Sequence, residues 1–319
     1  MRLKSVFISS YKNLKDFSLR FDNDSFIEVF VGKNGAGKSN FFEALIEIFR
    51  HLYEHDKDKT EGCFNYRLKF EIENKVTDIA WENGKFKING EDRKTIGKTP
   101  LPDNVLIYYS GHNETVAELV FKYDDKFSRR IKSANFDESR RFIGIGQEYK
   151  ELLLSALLLQ QANNKARQFI CQKLGIKTVA AEAMLLLQRP NFADKKQAID
   201  HFDPKTHYWG AEGITRKLLD KLITCVKGAF NHSNIYDSQY DLYSIPINIE
   251  LFQTKFGDEK AADIFRQLDN LKTLGMLAGI SIPLQLENGL DATIAHFSDG
   301  QFQSVYIYSI VELFKDRNC

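Results

Sequence analysis

The residues best equipped for chemistry are Gly32, Lys33, Asn34, Gly35, Ala36, Gly37, Lys38 and Ser39, which fit the spacing G-x-x-x-x-G-K-[ST]. Phosphate oxygens need several backbone N–H donors pointing inward, so the chain must turn tightly and come close. The glycines at 32, 35 and 37 permit that. A helix opening near Lys38 adds a positive dipole end and unpaired N–H groups. In such a loop Lys38 reaches the β/γ-phosphates and the Ser39 hydroxyl sits on Mg²⁺, with Asn40 counted in the same cradle.

The flanks suit that chemistry. Phe26 to Val31 is a short apolar run with β-branched and aromatic residues, and predicts a buried strand. Phe41, Phe42, Leu45, Ile46, Phe49 and Leu52 recur at helical spacing after the loop. A glycine-rich turn before a helix is the plainer alternative. Strand, loop and helix together favour a nucleoside triphosphate site, and make Lys38 the candidate catalytic residue.

Composition sets outer bounds. At 319 residues the chain exceeds one average domain, and its net charge of +1 supplies no bulk attraction to nucleic acid. Cys63, Cys171, Cys225 and Cys319 are scattered without C-x-x-C spacing. That argues against structural zinc or a disulfide framework, and for a reducing cytoplasm. The start, Met1 to Ser5, has no apolar signal core, and no run has the length of a membrane span.

Leu3–Ser9 and Phe17–Phe21 read as strands around a polar turn, Tyr11-Lys12-Asn13-Leu14. Phe64–Ile72 alternates as a strand does, and Asn83-Gly84 between Ile79–Trp81 and Lys85–Ile88 is a hairpin signal. Val105–Tyr109 is a buried strand leaving through Ser110-Gly111-His112-Asn113. From 114 to 244 the texture turns helical, over Tyr149–Leu159, Ala166–Leu174, Val179–Leu187 and Ile214–Phe230. No heptad repeat is sustained there. Arg129, Arg130, Lys132, Arg140 and Arg141 could contact a phosphate backbone or a partner, or form a solvated face. Ile245–Phe252 returns to strand character, Asp258–Leu274 is helical, and Ile280–Leu286 is a strand.

A second phosphate-binding pattern follows. In Phe297-Ser298-Asp299-Gly300-Gln301 a serine and a glycine stand at the start of a helix running from about Gln301 through Phe314. This stretch resembles the signature of ABC-type ATPase heads, Leu-Ser-Gly-Gly-Gln, with Phe297 in the leucine position. The turn at Lys12 and Asn13 resembles the opening of the SMC, RecF and OLD relatives within that class. The Tyr108–Asn113 strand exit, compact insertion and short signature are similar to ATPases of bacterial phage-defence and restriction-associated systems, of the Septu and retron-linked kind.

The resemblance implies an α/β fold. It is a P-loop ABC-type ATPase head with a mixed sheet, an antiparallel β patch and a helical insertion. Three segments are expected: an N-terminal ATPase lobe at 1–113, the insertion at 114–244, and a return to the lobe with the signature at 245–319. It further implies ATP and Mg²⁺ as ligands, with Lys12 and Asn13 near the nucleotide. His112 or Asn113 stands where the family has a γ-phosphate-sensing glutamine. Ser298, Gly300 and Gln301 would meet the ATP of an opposing protomer. The implied assembly is a homodimer or higher oligomer, coupled to an effector nuclease and to nucleic acid, with no membrane.

The family's next element, an apolar strand ending in Asp-Glu, has no match before Lys315–Cys319. The expectation is the N-terminal part of a longer ATPase, or one member of a split pair. Its water-activating carboxylate would then come from elsewhere, Glu43 being a poor substitute. Two functions remain in view: an ATP-driven switch serving antiviral defence, and a non-hydrolysing ATP-bound scaffold that recruits a nuclease. A small-molecule kinase fits less well, because the opening strands, the antiparallel patch and the signature have no place in it.

Overall fold

The structure is a computed structural model, describing residues 1–21, 28–59, 61–108, 114–131, 140–190, 207–228, 235–315 and 319. It divides into two compact units. The first holds Met1–Tyr123, Arg141–Ile145 and Arg317–Cys319, and the second Asp124–Arg140 and Gly146–Asp316. Residues 245–316 fall in the second unit. No helix among the described residues is long and apolar enough to cross a membrane.

The first unit is built on a six-stranded antiparallel sheet. Its strands are β1 (Arg2–Tyr11), β2 (Leu14–Arg20), β3 (Tyr66–Ile72), β4 (Lys75–Glu82), β5 (Lys85–Ile88) and β6 (Glu91–Arg93), in the order β2-β1-β3-β4-β5-β6. The expected hairpin is present: Asn83 and Gly84 both take positive φ, at 52° and 77°, between Glu82 and its partner Lys85. That pairing of angles matches the right-handed twist of the strands. Alternation sets the inner face, where Tyr66, Leu68, Phe70 and Ile72 are buried between exposed or half-buried neighbours.

Helix α1 (Lys38–Asp58) shares this unit, and its buried face mixes apolar residues with polar ones. A hydrogen-bonded line runs from the Tyr66 hydroxyl to His51 Nδ1 (2.8 Å), from His51 Nε2 to His55 Nδ1 (3.2 Å), and from His55 Nε2 to the Lys94 carbonyl (3.3 Å). A carbonyl only accepts, so along this line each imidazole donates from Nε2 and accepts at Nδ1. The line is walled by the rings of Trp81 and Phe86, the latter stacked on His51.

The stretch expected as a buried strand before the loop differs. Glu28–Val31 is irregular, and Val29 and Val31 are 77% and 86% exposed; Phe26 and Ile27 lie outside the described residues. A strand exists only through a paired neighbour, and no described strand lies alongside these residues. The strand at 105 is present as β7 (Val105–Tyr108), paired in parallel with β8 (Phe142–Ile145). The unit also holds helix α2 (Glu114–Ile131) as far as Tyr123.

The second unit centres on α3 (Lys150–Leu158), buried continuously from Leu152 to Leu158. Other helices of this unit are α4 (Lys165–Leu174), α5 (Gly213–Ile223), α6 (Ile249–Lys255), α7 (Ala261–Thr273) and α8 (Asp299–Phe314), of which α4, α7 and α8 pack against α3. Its strands are β9 (Ile176–Val179), β10 (Glu182–Gln188), β11 (Tyr236–Asp237), β12 (Leu242–Asn248), β13 (Leu277–Ser281), β14 (Leu284–Leu286) and β15 (Asp291–Ala292). They form an antiparallel sheet β11-β12-β10-β13 and a smaller one β15-β14-β9.

The helix expected over Val179–Leu187 is thus a strand. Ala183, Leu185 and Leu187 are buried at every second position, a period-two pattern that a run of leucines hides until its neighbours are known. The strand expected through Phe252 ends at Asn248, whose side chain accepts from Leu251 N–H (2.9 Å) and caps α6.

A buried ion cluster sits in the second unit. Fully buried Arg140 donates to both carboxylate oxygens of Asp269 (2.9 and 2.6 Å) and to Asp124 (2.5 Å), and lies against the Tyr149 hydroxyl. Arg140 is therefore no part of an exposed basic patch. Burial works against its charge, but Asp269, Tyr149 and Asp124 outweigh that and hold the guanidinium charged. Burial raises Asp124 above the usual carboxylate range despite Arg140. Removing one partner of a buried pair strands the other charge, at about 3–5 kcal/mol. Asp269→Ala is expected to lower stability by that amount in urea unfolding, and Asp124→Asn by less.

Candidate functional site

The glycine-rich loop ends where α1 begins, and the first turn of α1 is unusually bare. Gly37 stands at the N-cap with φ 89°, no side chain caps the helix, and the first turn has no acidic residue. By contrast α4 is capped by Asn164, which accepts from the N–H groups of Ala166 and Arg167. The N–H groups opening α1 are thus left for an acceptor outside the helix.

The loop closes on its own lysine. Lys38 Nζ donates to the carbonyls of Gly32 (2.6 Å) and Lys33 (3.0 Å), while Ala36 N–H donates back to Lys33 O (3.2 Å). Gly35 and Gly37 take φ of 82° and 89°, where a side chain would be strained. Lys33, Asn34, Ala36 and Ser39 are exposed around this turn, with Ser39 in the first turn of α1.

The hairpin turn between β1 and β2 holds the loop in place. Asn13 Nδ2 donates to Gly35 O (3.2 Å), and Asn13 Oδ1 accepts from Asn40 Nδ2 (2.6 Å). A Cβ on Gly37 would lie 3.1 Å from both Asn13 Oδ1 and Leu14 Cδ2, so those side chains would have to give way, in addition to the strain of its positive φ. Asn40, expected among nucleotide contacts, spends its amide on Asn13. Lys12 Nζ is ion-paired with Glu43 Oε2 (2.5 Å), which also accepts from the Tyr11 hydroxyl (3.3 Å). Burial, and then the Glu43 charge, push the Tyr11 phenol well above its ordinary range. Thus the structure brings Lys12, Asn13, Gly35, Gly37, Lys38 and Asn40 together.

Glu43 and Tyr11 were not among the expected site residues. The signal for Glu43 was a carboxylate between the apolar residues Phe41 and Ala44 on a buried helix face, which demands a cationic or hydroxyl partner.

Ser298, Gly300 and Gln301 belong to the second unit. Ser298 immediately precedes α8, which starts at Asp299, so Gly300 and Gln301 fall in its first turn. Buried Phe297 anchors this turn, its carbonyl accepting from Lys150 Nζ (2.5 Å), and a capping box at Thr293 and His296 precedes it. His112 and Asn113 lie outside the described residues.

A glycine loop that folds over its lysine and opens an uncapped helix defines a P-loop nucleotide-binding domain. The family model for the AAA ATPase domain matches residues 1–246. The chain belongs to that family, and so to the ATP-binding P-loop ATPases. It is also similar to the DNA replication and repair protein RecF of Leptospira interrogans, 28% identical over 178 residues, covering 44% of this chain and 48% of that protein. The RecF of Leptospira biflexa serovar Patoc is 27% identical over 138 residues, 36% of each chain. The chain spans about half the length of these relatives or less.

Asn13 contributes two neutral hydrogen bonds to the loop, each worth about 1 kcal/mol. Asn13→Ala is expected to weaken binding of a non-hydrolysable ATP analogue by about tenfold in calorimetric titration, with the far-UV spectrum unchanged.

Proposed function

We propose that this chain is the ATP-binding head of an ABC-type molecular switch. The observation that carries this reading is the uncapped start of α1 beneath a glycine loop with Lys38 folded over it. Backbone N–H groups from Gly35 to Ser39 would hold the phosphates, Lys38 would exchange its loop carbonyls for phosphate oxygens, and Ser39 would ligate Mg²⁺. The residues fit the group: the anion replaces acceptors that the helix lacks. The metal ion supplies charge neutralisation for the phosphates when bound. Lys12, ion-paired with Glu43, is within the same cluster and joins the phosphate contacts.

The signature turn supplies the second half. Ser298, Gly300 and Gln301 open α8 as a donor-bearing helix start, suited to the γ-phosphate of an opposing protomer. Two heads then close head-to-tail on ATP, and closure is transmitted to nucleic acid and an effector. The relatives' role in DNA replication and repair supports nucleic acid as the coupled partner. Placement in a cytoplasmic antiviral defence complex, with a nuclease as effector, rests on the likeness at Tyr108–Asn113 and at the signature. The insertion at 114–244 would carry the coupling.

One observation favours a second reading, an ATP-bound scaffold that does not hydrolyse. Glu43, the carboxylate of α1 beside the loop, is held by Lys12 and Tyr11 rather than standing free to polarise water. Steady turnover by the chain alone, abolished by Lys38→Ala, would rule this out.

Hydrogen bonds to charged groups are worth about 1.5–3 kcal/mol, so Lys38→Ala is expected to weaken ATP-analogue binding by about ten- to a hundredfold. Ser298→Arg is expected to leave that binding intact and abolish analogue-induced dimerisation, read by light scattering. Dimerisation that survives Ser298→Arg would refute the signature assignment.

A further inference from the structure

A half-exposed cation beside the phosphate loop is held in place by a buried acid. The Lys12 side chain is 45% exposed while Glu43 is buried, with Nζ and Oε2 2.5 Å apart. The Tyr11 hydroxyl donates to the same oxygen (3.3 Å), and the Tyr11 ring packs edge-on against Phe64, 5.5 Å between centres. Burial, and then the Glu43 charge, keep that phenol protonated, so it stays a donor.

The trio stands close to the cradle. Asn13, next in the chain, bonds Gly35 O and Asn40, and the side chains of Asn13 and Leu14 close over Gly37. Glu43 lies four residues beyond Ser39 on α1, one turn along the same face. Turn chemistry does not ask for a lysine here. Lys12 takes φ 50°, a left-handed conformation in which glycine or asparagine is preferred. A residue held against that preference points to a use for its side chain.

The ion pair limits what that use can be. Leaving Glu43 to meet a phosphate would strand a buried carboxylate, which is costly. Lys12 has no need to leave. An ammonium carries three N–H donors; Glu43 takes one, and the others have no acceptor among the described residues. Lys38 is different, because its contacts are two loop carbonyls that an arriving phosphate can replace.

We propose that Glu43 is a positioning residue for nucleotide binding: with Tyr11 it holds Lys12 as a fixed second cation of the phosphate cradle. The ion pair persists when nucleotide binds, and Lys12 meets phosphate oxygens through its remaining N–H donors. An anchored ammonium has little side-chain freedom left to lose on binding. Glu43 acts through Lys12 and touches no phosphate itself. This role rests on the P-loop reading of Gly32–Ser39 and deepens it.

The test titrates a non-hydrolysable ATP analogue with Mg²⁺ into the full chain in a calorimeter, beside Glu43→Gln, Lys12→Met and the double variant. Lys12→Met removes a charge-assisted hydrogen bond and is expected to weaken binding about tenfold. Glu43→Gln should weaken it by a similar factor, about tenfold, because the lysine remains but is no longer anchored. The two losses should not multiply: the double variant should match either single one within about twofold. Lys12→Met leaves a buried carboxylate without its cation. If its far-UV spectrum shows unfolding, Glu43→Gln against the double variant decides, and those two should agree within about twofold. Glu43→Gln that binds like the unchanged chain overturns the role. So does a double variant at least about tenfold weaker than Glu43→Gln, which would make the two residues independent. Lys38→Ala is the control: analogue binding that it leaves unchanged, or no binding by the unchanged chain, overturns the P-loop reading and this role with it.

Discussion

A helix that begins without a cap leaves its first N–H groups in search of an acceptor, and around α1 that demand organises the neighbouring structure. Gly37 contributes no side chain to satisfy them, and no acidic residue stands in the first turn. A serine or aspartate cap would gain the helix only roughly a few tenths of a kcal/mol over glycine, and would occupy the donors an anion needs. The loop is then stabilised from outside. The β1–β2 turn, through Asn13, bonds both the loop carbonyl of Gly35 and the side chain of Asn40 on α1. A hairpin of the rigid sheet thus carries part of the cost of an open phosphate cradle.

The same arrangement gives buried Glu43 its purpose. A carboxylate that is 4% exposed needs partners, and Lys12 and Tyr11 provide them from the strand that leads into the Asn13 turn. The ion pair of Lys12 and the bridge made by Asn13 come from neighbouring residues of the same turn. Local chemistry and loop geometry are coupled over one hairpin.

In each unit polar groups are buried where they fix one packing. The Tyr66–His51–His55 line has a single direction of donation between the helix and the antiparallel strands. Arg140 unites Asp124 of α2, Tyr149 and Asp269 of α7, segments far apart in the chain. An apolar cluster of equal volume tolerates sliding, whereas a bidentate pair has one geometry. In the second unit this matters because α3 is buried all round from Leu152 to Leu158, mostly by leucines, and specifies little orientation by itself.

From the sequence alone, the loop at 32–39, the helix after it, the Asn83-Gly84 hairpin and the helix start after Ser298 were legible. Each is governed by nearest neighbours: glycine conformation, turn chemistry and helical period act within a few residues. Tertiary structure decided the rest. Ala183, Leu185 and Leu187 became a strand because β12 and β13 flank them, a fact absent from their own spacing. Arg140 looked like surface charge among other basic residues, until Asp269, remote in sequence, paired with it. The partners of Glu43 likewise depend on which segments meet. Contacts between distant segments carry no local periodicity, so only the folded chain could reveal them.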